Sequence, residues 1–147
     1  IGLAPVRPAI HHALAHRDEY ASVSIVYGSR SPADLLYTDD VRNWKARFDT
    51  NVQITVDRGD AGWLGDVGVV TPLLNRLAFV PENTTAIVCG PEIMMRVVSK
   101  ELVQRGVAAD RGHGEDGQQG TWVRSDHSRN VEGTCQLQCC HSGPGGG

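Results

Sequence analysis

Apolar and polar positions along the first two thirds of the chain follow two different periods. Val6, Ile10 and Leu14, with Ala9 and Ala13 beside them, recur at helical spacing behind Pro5 and predict a helix from Pro5 to about His16. The run SVSIVYG is β-branched and aromatic, closes on Gly28 and predicts a strand. SPADLLYTDDVRNWKARF opens with Ser31 as N-cap, Pro32 at the first helical position and Asp34 in the first turn, which predicts a second helix. VQITV predicts the next strand. DRGDAGWLGD, from Asp57 to Asp66, is a loop rich in Gly and Asp, and VGVVTPLLNRL resumes a helical pattern whose first turn is confined or bent by Pro72. TTAIVC predicts a third strand. Pro91 to Arg105 predicts a fourth helix, with Met94, Val98 and Leu102 four apart and Gly106 as its C-terminal stop.

Helix and strand therefore alternate, the signature of an α/β fold: an open parallel sheet with helices on both faces. The series begins with a helix behind a glycine loop, an arrangement normally fed by a strand. That first strand is expected ahead of Ile1 and so to be truncated from this chain.

Composition divides the chain. Nine of the seventeen glycines and three of the four cysteines fall in residues 112–147, where the large apolar residues are only Trp122, Val123, Val131 and Leu137. Such a stretch buries too little apolar area to offset its ordering entropy. Residues 1–111 are thus expected to form the domain and 112–147 a disordered or aberrant Gly/Cys-rich tail. The 147 residues carry a net charge of −3 with fourteen scattered Lys and Arg, which sets aside nucleic acid as a partner. No apolar run approaches the roughly 18 residues that cross a bilayer, and the chain reads as soluble and cytoplasmic without membrane insertion.

Ligands of open parallel sheets sit outside the carboxyl ends of the strands. IGLAP, YGSR and CGPE would all lie on that edge. Cys89 would end a strand there, Gly90 would let a ligand approach the backbone, and Pro91 would start a helix whose positive end faces the same crevice.

In this order and spacing, IGLAPVRP, YGSRSPADLLYTDD, GWLGDVGVVTPLL and CGPEIMM resemble the NAD(P)-binding half of the ferredoxin-NADP reductase superfamily, a Rossmann-like domain. Within it the likeness is to FAD/NAD(P)-binding electron-transfer subunits of hydrogenase, sulfhydrogenase and anaerobic sulfite reductase type. The resemblance implies that Gly2, Leu3, Ala4 and Pro5 end the glycine loop that holds the dinucleotide pyrophosphate. It implies that Gly28, Ser29 and Arg30 meet the adenosine ribose, Arg30 tilting the site toward a 2′-phosphate and NADP. It places Cys89, Gly90 and Pro91 beside the nicotinamide, with Cys89 positioning the ring for hydride transfer to a flavin, and counts Glu92 and Met94 of the same motif with the cofactor-binding residues. It further implies FAD on a domain absent from this chain, and iron–sulfur or hydrogenase-type electron-transfer subunits as partners. In the intact parent it implies a 2Fe–2S cluster. After Arg111 the likeness ends: Cys135, Cys139 and Cys140 lack the spacing of four cluster thiolates, and a shifted reading frame near residue 112 would account for the change. In the family's strand order the first strand is central, so its loss is expected to leave two neighbours with unpaired backbone groups.

Plainer readings stand beside these. Cys89 read without the resemblance is a buried structural cysteine, and no partner base supports a nucleophilic role. His12 and His16 form a solvated or partly packed face without the Glu of a metalloprotease helix. No metal is assigned, in the tail or elsewhere, and the tail thiols are expected to stay reduced. At least one of Met94 and Met95 belongs to the core. Trp63 is either a lid over the ligand edge or a plug over the sheet. A non-catalytic interaction module that keeps the sheet but has lost nucleotide binding remains the alternative function.

Overall fold

The computed structural model describes residues 3–108 in full and the backbone of residues 121–124 and 133–140. Its elements run α1 (Leu3–Ala15), β1 (Tyr20–Ser29), α2 (Thr38–Lys45), β2 (Asn51–Val56), β3 (Asp66–Val67), α3 (Thr71–Leu74), β4 (Thr84–Cys89), α4 (Glu92–Gln104), β5 (Thr121–Arg124) and β6 (Gly133–Cys140). The sheet order is β3-β2-β1-β6-β4-β5, with β5 antiparallel to β4 and every other pairing parallel.

Alternation along β1 builds a core on each face of this sheet. Val23, Ile25 and Tyr27 join Leu3, Val6 and Ile10 of α1 and Val41 and Trp44 of α2. Val26 turns the other way and joins Leu73 and Leu74 of α3 and Met95, Val98 and Leu102 of α4. Helices thus cover both faces, as the alternation of elements requires.

Two predicted helices are shorter than their patterns. The stretch after Ser31 makes one 3₁₀ turn, Pro32–Asp34, and α2 begins only at Thr38. Tyr37 is left-handed at φ 52°, and the Leu36 N–H donates to the Tyr27 hydroxyl at 3.0 Å, so a long-range bond to a buried tyrosine holds the break open. α2 then starts with Asp39 and Asp40 in its first turn, where they complement the helix dipole. Between Val67 and Leu77, helix is confined to Thr71–Leu74. Gly68 sits at φ +125°, which a helix cannot accommodate, and Asp66 and Val67 pair with β2 instead. The Arg105 guanidinium donates to the carbonyls of Leu74 at 2.6 Å and Leu77 at 2.9 Å, supplying bonds that so short a helix cannot make itself.

α4 ends as its glycine foretells. Gly106 at φ +98° lets its N–H reach the Val103 carbonyl at 2.9 Å and lets the Val107 N–H reach that of Leu102 at 3.0 Å, a Schellman pair with Val107 buried against Leu102.

β1 and β4 were expected to lack a neighbour, and residues 112–147 to stay outside the fold. Instead β6 lies between the two strands and pairs with both, and β5 extends the far side of β4. Two rows of unpaired backbone donors and acceptors outweigh the weak apolar content of the segment that fills them.

Ion pairs fasten the periphery. Asp40 accepts from Arg7 at 2.5 Å and joins α1 to α2, while Arg76 holds Asp66 through two bonds of 2.7 and 2.8 Å. Arg7 and Arg76 each hold their partner's carboxyl below its ordinary range by hydrogen bonding, as Arg47 does for Asp49. A carboxyl lowered in the folded state adds stability above its unfolded pKa of about 3.9, lost as pH falls through the folded value. Urea midpoints are therefore expected to hold from neutral pH to about 5 and fall below about 4. Asp66→Asn should flatten that acid slope; an unchanged slope would remove Asp66 from the account.

Candidate functional site

β1, β2 and β4 all present their carboxyl ends on one edge, and the chain crosses from the β1–β2 side to the β4 side of β6. That crossing is the topological switch where open α/β sheets leave a crevice. Two bonds fix the loops on its β1 side: Asp57 N–H to Ser29 carbonyl and Arg58 N–H to Arg30 carbonyl, both 2.9 Å.

Two hollows open beside these loops. One, of about 410 Å³, has apolar walls from Val69, Val70, Ile93, Met94 and Val97, with Gly28, Ser29, Thr55, Asp57, Gly68, Thr71 and Pro91 completing it. The other, of about 430 Å³, carries charged side chains at its edge and runs from Arg30 through Asp34 to Arg58, Gly59 and Asp60. An apolar slot with a few polar groups suits a flat heteroaromatic ring, and a neighbouring hollow with two guanidinium groups suits a phosphate.

Ser29 is among the residues that line the first hollow. Its side chain is buried, yet its hydroxyl has no hydrogen-bond partner among the described residues. Thr55 beside it is satisfied, donating to the Gly68 carbonyl at 2.7 Å. Opposite, α4 starts at Glu92 behind Pro91, whose side chain offers no cap, so the first-turn N–H groups and the positive end of a 13-residue helix point to the same edge. Gly90 reaches that helix at φ +154°, a conformation that only glycine adopts without strain.

Cys89, the last residue of β4, is half-buried against the α1–α2 core. Burial pushes its thiol up from the ordinary cysteine value, so it is a neutral group at physiological pH. A neutral thiol can position a ring and is a poor nucleophile.

Gly28, Ser29, Pro91 and Met94 thus meet around one hollow and Arg30 lines its neighbour. Cys89 and Gly90 lie on the β4 end and line neither. Leu3 has its side chain fully buried in the core, leaving only backbone for a ligand, whereas Ala4 and Pro5 are exposed on the first turn of α1. Gly2 lies outside the described residues. Glu92 faces solvent and pairs with Arg96 at 2.5 Å.

Sequence reasoning missed Thr55, Asp57, Val69, Thr71 and Arg58. The available signal was position, since DRGD and VGVVT follow strands at the same edge. Met95 is the core methionine and Met94 the half-buried one that lines the hollow. Trp63 proves to be the plug: its indole N–H donates to the Asp66 carbonyl at 2.9 Å and its ring packs on the α1–α2 core. His12 and His16 are exposed and stacked at 4.3 Å between ring centroids, and no group of three or more His, Cys, Asp and Glu able to hold a metal occurs among the described residues. His141 and the side chains of Cys135, Cys139 and Cys140 lie outside the described residues. No helix among the described residues is long and apolar enough to cross a membrane.

Residues 1–100 match a family model described as the oxidoreductase NAD-binding domain. The chain is 29% identical over 124 residues to the gamma subunit of sulfhydrogenase 2 from Pyrococcus furiosus, an alignment covering 76% of this chain and 42% of that protein. It is 28% identical over 109 residues to NADH-cytochrome b5 reductase 1 from Candida albicans, covering 71% of this chain and 37% of that one. Over 104 residues it is 32% identical to the NADH nitrate reductase of Hordeum vulgare, covering 65% of this chain and 11% of that protein. The chain spans less than half the length of these relatives, and no solved structure matches it. With a crevice at the carboxyl edge of a parallel sheet and a family model matching most of its length, the chain belongs to the oxidoreductase NAD-binding domain family of the ferredoxin-NADP reductase superfamily.

Proposed function

We propose that this chain is the NAD(P)H-docking module of a flavin-dependent oxidoreductase, presenting the reduced nicotinamide to FAD held on a domain outside it, with electrons passing onward to iron–sulfur centres of cytoplasmic partner subunits. The observation that carries the reading is the pair of hollows at the carboxyl end of β1, one of them lined by Ser29, whose buried hydroxyl has no partner among the described residues, and bordered by Pro91 at the start of α4. Bound there, the nicotinamide supplies two electrons and a proton as hydride and leaves as its oxidised form. The protein's own task is placement. The α4 terminus attracts negative charge, and Gly90, at the end of β4 beside that terminus, permits close approach of the coenzyme to the backbone.

Arg30 and Arg58 favour the phosphorylated coenzyme. Both are exposed on the second hollow, while its two carboxylates accept local hydrogen bonds, Asp34 from the Ser31 hydroxyl at 2.6 Å and Asp60 from the Gly62 N–H at 3.0 Å. A 2′-phosphate meeting one guanidinium gains a charge-assisted bond of about 1.5–3 kcal/mol. Titration calorimetry is thus expected to show NADPH binding tighter than NADH, with Arg30→Ala and Arg58→Ala each weakening NADPH by about 10-fold or more and leaving NADH unchanged. Equal losses for both coenzymes would refute the 2′-phosphate assignment, and absence of binding by either would favour the non-catalytic interaction module.

A further inference from the structure

The family match ends at residue 100, yet the strand at the middle of the sheet comes from beyond it. β6 runs parallel to β1 on one side and β4 on the other, with Leu137 in register with Ile25 and Ile87, Gln138 with Val26 and Val88, and Cys139 with Tyr27 and Cys89. We propose that Gly133–Cys140 is a site-building element, the central strand that spaces the two walls of the crevice, so that ligand binding depends on a segment outside the family-matched residues.

Neighbouring strands lie about 4.8 Å apart, so one intervening strand sets β1 and β4 about 10 Å from each other. The walls of the crevice hang on these two strands, with Ser29 ending β1 and Pro91 following β4. If β6 withdrew, two outcomes would remain. Either β1 and β4 would keep their separation with unpaired backbone groups at the sheet's centre, or they would close onto each other and remove the crevice. Docking of this segment therefore sets whether the hollow beside Ser29 exists.

Register also explains why the segment does not read as a central strand. Ile25, Tyr27, Ile87 and Cys89 belong to the layer under α1 and α2, and Val26, Ala86 and Val88 to the layer under α3 and α4. By register, positions 135, 137 and 139 of β6 align with the first set of strand positions and positions 136 and 138 with the second. Gln138 stands in register between Val26 and Val88, so a β-branched residue at that strand position is a substitution that should strengthen the fold.

Two measurements on the full chain test the placement. In a Cys135→Ser/Cys140→Ser background, leaving Cys89 and Cys139, the short thiol-bridging reagent dibromobimane is expected to join these two residues, seen as bridged fluorescence and a peptide pair by mass spectrometry. In the otherwise unchanged chain, Gln138→Val is expected to raise the thermal midpoint by a few degrees, a result that a misfolded variant cannot imitate. Failure to bridge, or a midpoint that does not rise, would overturn the inference. The dependence of binding rests on the nucleotide reading, and Leu137→Pro tests it by removing a ladder N–H and, with it, NADPH affinity. Bridging without nucleotide binding in the unmodified chain would defeat that reading and leave the central strand standing. NADPH binding without bridging would do the reverse.

Discussion

Leu74→Ala is expected to lower the unfolding free energy by about 2–5 kcal/mol, read as a fall in the urea midpoint with an unchanged slope. Leu74 is fully buried, in the layer that also holds Val26, Val88, Val98 and Leu102. Its neighbours sit on sheet strands and on α4, elements that cannot easily move in to fill a void, so the effect should lie in the upper part of that range. α3 itself has only four residues and stays in place through Leu73, Leu74 and the bonds from Arg105. Because Val69, Val70 and Thr71 lead into it and line the apolar hollow, ligand affinity should fall together with stability. Leu74→Met, which nearly conserves volume, should cost less than about 1.5 kcal/mol. A loss below about 1 kcal/mol for the alanine variant would mean that α3 is not anchored by this side chain.

Ser29→Ala should move stability and binding in opposite directions. In the free protein the buried hydroxyl has no partner among the described residues, so its removal relieves a desolvation penalty of about 1–3 kcal/mol while sacrificing no bond. The backbone is untouched, since the Ser29 carbonyl still accepts from the Asp57 N–H at 2.9 Å. The unfolding free energy is therefore expected to rise by about 1 kcal/mol. If the hydroxyl meets the bound nucleotide, the same change forfeits one neutral hydrogen bond of about 0.5–1.5 kcal/mol and raises Kd about 3- to 10-fold. Chemical denaturation and calorimetry on the same two proteins separate the effects. Destabilisation without any change in Kd would make Ser29 a core residue and move the binding site elsewhere.

Sequence and structure agree where a signal is local. The buried faces of α1 and α4 follow from apolar spacing, and Gly106 ends α4 with the bonds its conformation permits. They part at Tyr37, where a good helix-start pattern is interrupted by a bond from Leu36 to Tyr27, nine residues away. They part again at Gly68, where pairing of Asp66 and Val67 with β2 outweighs a helical pattern. The site divides in the same manner. Gly28, Arg30 and Pro91, expected at the ligand edge from their turns, do line the two hollows. Thr55, Asp57, Arg58 and Val69 belong to the site only because the sheet brings three strand ends together.

By itself, then, the sequence determined α1, β1, β2, β4 and α4, where α4 stops, and that the glycine-bearing turns would share one edge of an open parallel sheet. Those outcomes rest on side-chain periodicity, caps and turn chemistry, which act over a few residues. Only the tertiary structure decided that Gly133–Cys140 would stand between β1 and β4, and that Ser29 would be buried beside an uncapped helix start. The physical reason is that a strand's place depends on which backbone groups elsewhere remain unpaired, a requirement no local pattern encodes.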